Sequence, residues 1–247
     1  MQGGRGPRGF VDVEAGRMRG SPAVHMAEES VRRAFVQKVY SLVAVQLVAT
    51  AILATPIATA GEQWLQENSG LLLISTMAFL ILAVSMGCCS HLLRLHPWNL
   101  LILACFTALE AISVGFYCAM YEMQSVLWCL AATGAVAGAL TAVAFSGKVD
   151  VTGMGSYLRA TSLALFVIGL GGLMFGAPLM QLAYAAGSVV LFAGYLVYDT
   201  QLVVGGKHQE KRFNIDDYVL AALSIYMDLV RLFLFLLRLM GERRSRR

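Results

Sequence analysis

The chain has 247 residues, of which 58% are hydrophobic and 14% charged, with a mean hydropathy of +0.68 and a formal net charge of +4. Soluble domains are about 45–50% apolar and about a quarter charged, so this composition excludes an ordinary water-soluble domain. A closed membrane barrel is excluded as well, because it needs alternating strands of about ten residues and no such alternation is present.

Residues 1–29 are rich in Gly and Arg, with "GGRGPRG" near the start and no apolar face to bury. They are expected to form a disordered cytosolic tail. No apolar h-region follows the first Met, so a cleavable signal peptide is not expected and the first span acts as its own insertion signal. Residues 30–40, "SVRRAFVQKVY", form a helical lead-in with Arg32, Arg33 and Lys38 at headgroup level. Seven apolar runs then follow, at residues 39–60, 71–90, 98–121, 126–145, 158–175, 182–204 and 218–240. Each is about 20 residues, enough to cross a hydrocarbon core of roughly 30 Å as a helix. The fold expected for residues 30–241 is therefore all-α, seven transmembrane helices in a single bundle. Residues 242–247, "ERRSRR", form a basic tail.

Lysine and arginine in the short loops set the orientation. Arg32, Arg33 and Lys38 precede the first span, and the breaks after spans one, three and five carry no Lys or Arg. The other breaks carry Arg94, then Lys148, then Lys207, Lys211 and Arg212. This alternation puts the N-terminus in the cytosol. The basic C-terminal tail conflicts with it, since seven full crossings leave that tail on the far side. A last segment that dips in and returns would keep it cytosolic, but residues 218–240 are long enough to span, and seven crossings are expected.

Cys88, Cys89, Cys105, Cys118 and Cys129 lie in or at apolar spans without CxxC spacing and are expected to be small free thiols. His91 and His96 near Cys88 and Cys89 do not share a helical face and have no carboxylate nearby, so no metal site is expected there. Gly134–Gly138 and Gly172–Gly176 have GxxxG spacing, which lets helix backbones approach closely in lipid. Packing inside the same bundle is expected of both, rather than a dimer interface.

Charges inside the spans are the informative residues. Glu110 lies about halfway along span three, Asp199 in the last third of span six, and Asp228 with Arg231 in span seven. An Asp at a helix centre costs about 2.5–3.5 kcal/mol on insertion scales, so these acids must face the bundle interior, a partner or water. For Glu110 alone, a protonated carboxyl bonded across helices is the expected state. Asp199 and Asp228 lie on consecutive antiparallel helices, and the midpoint between them falls at Phe213–Asn214. Gly205–Gly206 weaken the end of span six, and "NIDD" reads as a helix start with Asn214 as N-cap and Asp217 at the third position. A turn there brings both carboxyls to similar depth. Such a pair shares a proton, because like charges close together in low dielectric cannot both ionise. The pair is thus a candidate to titrate or to bind cations.

"VRRAFVQKVY" before span one, "HPWNLLILACFTALEAISVG" in span three, "VYDTQLVVGGKH" in span six and "DDYVLAALSIYMDLVRLF" in span seven closely resemble the lifeguard branch of the Bax inhibitor superfamily. The resemblance covers most of the chain from Ser30 onward. It implies a seven-helix fold, calcium leak across intracellular membranes and suppression of cell death. It also implies a pH sensor made of two aspartates in the last two helices, here Asp199 and Asp228, with calcium as the ion they bind transiently. The endoplasmic reticulum or Golgi is the implied location, with plasma and vacuolar membranes as alternatives. In two places the chain departs from the family pattern. Arg231 stands where the family usually has Asn, and is expected to stabilise an ionised Asp228 one helical turn away. The arginine latch that a bacterial relative carries at the end of helix two would fall on Arg94, past an insertion, or have part of its task taken over by Arg231.

Three function classes follow: a gated cation path, an intramembrane aspartyl protease, and a regulatory scaffold without transport. The protease needs GxGD at its second aspartate, whereas Asp228 is preceded by "SIYM", so no enzyme activity and no cofactor are expected. Expected partners are membrane lipid, calcium ions, cell-death regulatory proteins and, as an open alternative, further copies of the chain; no nucleic-acid partner is expected. The loop charges predict that an N-glycosylation acceptor placed before Glu29 stays unmodified in microsomes, while one inserted after span one is glycosylated. Modification of the N-terminal acceptor would reverse the orientation.

Overall fold

The computed structural model describes residues 29–88, 95, 97–205 and 213–244. Arg94, Cys89, His91 and His96 lie outside the described residues, as do residues 1–28, so the tail, the latch assignment and the cysteine–histidine group find no structural account.

Among the described residues eight α-helices follow one another: α1 (Glu29–Ala58), α2 (Glu62–Glu67), α3 (Ser69–Cys88), α4 (Trp98–Cys118), α5 (Met123–Ser146), α6 (Gly155–Met174), α7 (Pro178–Val204) and α8 (Tyr218–Met240). All but α2 are long and apolar enough to cross a membrane, which makes the chain a multi-pass membrane protein of seven helices. The short α2 was not apparent in the sequence; it lies between the first two spans, with Trp64 stacked on Phe116 of α4 at 6.2 Å. Helix ends follow local chemistry. Pro178 opens α7, where its missing N–H is an orphan in any helix. Gly205 closes α7 at φ +99, a left-handed position that other residues adopt only at a cost.

Packing ranks the helices. α8 is the hub, in contact with α1, α4, α5 and α7, and half of its most apolar stretch is buried. α6 packs chiefly on α7 and buries only 6% of its equivalent stretch; Leu163, Phe166, Val167, Leu170 and Leu173 remain outward-facing. In water such a surface would be intolerable, but hydrocarbon is as apolar as leucine. Close approach is needed between α1 and α4, where a Cβ on Gly115 would lie 2.8 Å from Ile57 Cβ and 3.0 Å from the Ala54 carbonyl.

The two GxxxG pairs behave differently from expectation. Gly134 and Gly138 face outward on α5, with nothing within 4 Å of where a Cβ would stand. They do not pack inside the bundle, because the interior face of α5 is carried by Cys129 and Thr133 instead. Gly172 does pack closely, against Gln181 and Met180 of α7. Gly176 lies beyond α6, at φ +60, and makes the turn rather than a helix contact. Cys105, Cys118 and Cys129 are free thiols as expected.

The last helix crosses completely. α8 runs from the α7–α8 turn to the opposite end of the bundle, where residues 242–244 pair with the α4–α5 loop. Glu122 N–H donates to Glu242 O at 2.9 Å, Arg244 N–H donates to Met120 O at 2.9 Å, and Glu242 N–H donates to Ser125 Oγ at 3.1 Å. Tyr121 and Arg243 thereby form an isolated antiparallel bridge. A segment that dips in and returns cannot reach that loop. Arg243 and Arg244 border a cavity of about 970 Å³ together with Glu62 and Glu122, so acids from two other segments stand near the basic tail. This accommodates it at an end whose loops carry no other Lys or Arg.

Gly115→Val is expected to overpack the α1–α4 contact and destabilise the protein by about 1–3 kcal/mol, read as a lower unfolding temperature in detergent, whereas Gly134→Ala leaves that temperature unchanged or higher. In a non-hydrogen-bonded antiparallel pair the Cα atoms stand about 4.5 Å apart, within disulfide range. Oxidation of a Tyr121→Cys, Arg243→Cys variant should therefore give an internal cross-link that neither single variant gives. Absence of the cross-link would detach the tail from the α4–α5 loop.

Candidate functional site

The α7–α8 hairpin sets the register of the two aspartates. Ahead of α8 a capping box forms at Asn214: the Asn214 side chain accepts from the backbone N–H of Asp217, and Asp217 Oδ2 accepts from the Asn214 N–H at 3.0 Å. The cap read from "NIDD" is therefore present and fixes where α8 begins. It places Asp228 in the contact face between α8 and α7.

There the Asp199 carboxyl hydrogen-bonds the Asp228 carboxyl. A carboxylate is only an acceptor, so a bond between two carboxyls requires a proton on one of them. Asp228 is 5% exposed, and its Oδ2 is buried with no hydrogen-bond partner. Asp199 is partly buried. Its flanking residues are anchored on several sides. Tyr40 of α1 donates to Thr200 Oγ1 at 3.3 Å. The Gln201 carbonyl oxygen accepts from Val151 N–H at 2.8 Å, and its amide donates to Val149 O, tying the α5–α6 connection to α7. Tyr198 lies so close to Gly155 that a Cβ there would stand 2.6 Å from the phenol oxygen. Three elements therefore hold the stretch of α7 that carries Asp199.

Glu110 faces the interior as expected and is 3% exposed, but its partner differs from expectation. Arg231 Nη2 stands 3.9 Å from Glu110 Oε1, and its guanidinium lies 5.9 Å from the Phe79 ring centroid. The arginine thus turns toward α4 and α3, and among the described residues no ion pair joins it to Asp228. The reason is helical geometry: residues three apart are neighbours but offset around the axis, so Asp228 faces α7 while Arg231 reaches Glu110. The cation that faces Glu110 was not expected, since the sequence reading placed it beside Asp228.

A polar network missed in the sequence lies beside these groups. Gln46 of α1 donates to Thr107 Oγ1 of α4 at 3.0 Å, and Thr50 of α1 meets the Tyr226 hydroxyl of α8 at 2.8 Å. Gln46, Thr50, Thr107 and Tyr226 are all buried, and Gln46 Oε1 has no hydrogen-bond partner. The four-residue spacing of Gln46 and Thr50 in an apolar helix was the available signal. Among the described residues no three His, Cys, Asp or Glu side chains come together. Calcium takes six to eight oxygens, and two carboxyls alone do not supply a closed cage for it.

The chain is similar to known proteins over most of its length. The family described as "Inhibitor of apoptosis-promoting Bax1" matches residues 32–245. Mouse Protein lifeguard 3 is 32% identical over 223 residues, covering 87% of this chain and 71% of the mouse protein, and the human Protein lifeguard 3 is 31% identical over 222 residues at the same coverage. The BI1-like protein of Arabidopsis thaliana is 32% identical over 242 residues, covering 94% of this chain and 90% of its own length. With that span and those relatives, the chain belongs to the Bax inhibitor and lifeguard family.

Proposed function

We propose that this protein is a pH-responsive, calcium-permeable leak path of an intracellular membrane that suppresses cell death, and that Asp199 and Asp228 form its titrating cation station. The observation that carries the reading is the buried, hydrogen-bonded carboxyl pair with an unpartnered oxygen on Asp228. When the shared proton leaves, the pair gains a negative charge in a low-dielectric site, where a divalent cation is the natural partner. Protonation removes that charge and changes the binding of the ion. The station acts on ion passage and not on a covalent bond, so the protein is read as a transporter and not an enzyme, without a cofactor.

Suppression of cell death is supported by the description of the matching family. The endoplasmic reticulum or Golgi is the membrane proposed, with lipid, calcium and cell-death regulatory proteins as partners. Calcium flux through purified protein in vesicles should vary with pH, with a slope of up to about tenfold per unit for one shared proton. The Asp199→Asn, Asp228→Asn protein should lose that variation. Flux that kept its full pH dependence in the double variant would make the aspartates structural. In cells, intact protection by a flux-dead double variant would assign the cell-death role to scaffolding instead.

A further inference from the structure

Arg231 presents a physical puzzle. It follows Asp228 by three residues on α8, about 5–6 Å away at Cβ, and carries five N–H donors. Asp228 Oδ2 nevertheless remains buried without a partner, while the guanidinium stands 3.9 Å from Glu110 and over Phe79. Something must outcompete Asp228 for this cation, and Glu110, only 4% exposed at its side chain, is the group that faces it. Of the other titratable groups, Tyr226 on α8 lies close enough to interact with both partners, whereas Asp228 is paired with Asp199 on α7. α1 contributes Gln46 and Thr50, α3 contributes Phe79, and the Cys129 thiol of α5 lies in the same buried cluster as Tyr226.

We infer that Glu110 is a positioning residue that holds Arg231 away from the aspartate pair, so that the pair keeps the net negative charge a cation needs. The inference rests on the reading of Asp199 and Asp228 as a cation station and specifies how that station is protected. With Glu110 ionised, the ion pair is neutral and the half-protonated aspartates retain one negative charge. Without the Glu110 charge, Arg231 is free to turn to Asp228 Oδ2, cancel that charge and occupy the station. Without Arg231, the Glu110 charge is unopposed and adds to the negative field on the pair.

The test is calcium flux across a pH series in vesicles of equal parts phosphatidylcholine and phosphatidylglycerol, using the full chain. Glu110→Gln should reduce flux at neutral pH about tenfold, within the usual range of coupling between sites. It should also move the pH midpoint down, because an unpaired cation favours charged carboxylates. Arg231→Asn should move the midpoint up, because a like charge disfavours them. Combining Glu110→Gln with Arg231→Asn should bring flux and midpoint back toward the parent protein. A merely structural pair would instead give a double variant no better than the worse single one, which overturns the inference. If Glu110→Gln alone does not fold, comparing the double variant with Arg231→Asn is sufficient: an unchanged midpoint between these two shows that the pair does not sense Glu110. Failure of the underlying station looks different, since pH dependence would then persist in the Asp199→Asn, Asp228→Asn protein.

Discussion

Placing carboxyl groups inside a bundle surrounded by hydrocarbon is the constraint on which the rest of this structure depends. An unpaired acid at mid-span costs about 2.5–3.5 kcal/mol even on permissive scales, and the bundle meets that cost in two ways. The Asp199 and Asp228 carboxyls face each other and can share a hydrogen bond when one of them carries a proton. Glu110 faces a guanidinium. The first arrangement changes charge when the proton leaves, whereas the second is neutral while both partners are ionised. The two acid sites lie on different faces of α8, Asp228 toward α7 and Arg231 with Glu110 toward α4, which keeps them distinct.

The helix arrangement serves these sites. α8 is central because it supplies groups in two directions, Asp228 toward α7 and Tyr226 with Arg231 toward α1 and α4. Such a helix must be fixed in rotation and in register. Rotation is held by the buried Thr50–Tyr226 bond and by Val219, Leu223, Val230 and Leu237 in the core. Register is held at the start by the capping box of Asn214 and Asp217, and at the far end by the backbone pairing of residues 242–244 with the α4–α5 loop. Interhelical side-chain bonds in membranes contribute only about 0.6 kcal/mol each on average. The network around Gln46, Thr50, Thr107 and Tyr226 therefore specifies alignment more than it stabilises the fold.

The periphery follows a different logic. α6 and the outer face of α5 expose large aliphatic and small residues to the surroundings, with Gly134 and Gly138 open. Nothing polar demands their burial, so the GxxxG spacing by itself did not direct that face inward. At the end of the bundle, the basic tail lies beside segments bearing Glu62 and Glu122. Local acids offset a local concentration of cations, and a count of loop lysines and arginines cannot register that.

Much of this protein was legible along the chain because its determinants are local. Seven apolar runs, a cap at Asn214 and Asp217, and two aspartates on consecutive apolar helices depend on spacing and residue type, which sequence records directly. The family resemblance reinforced the same reading through the motifs around those residues. What the chain order could not supply was the direction of each side chain around its own helix relative to a neighbour. Arg231 was expected beside Asp228 because they are one turn apart, yet it meets Glu110, more than a hundred positions away. The outward Gly134–Gly138 face, the Gln46 network and the tail docked on the α4–α5 loop have the same origin. Which helices become neighbours, and at what rotation, is decided when the bundle satisfies all its buried polar groups together, and only the tertiary structure contains that solution.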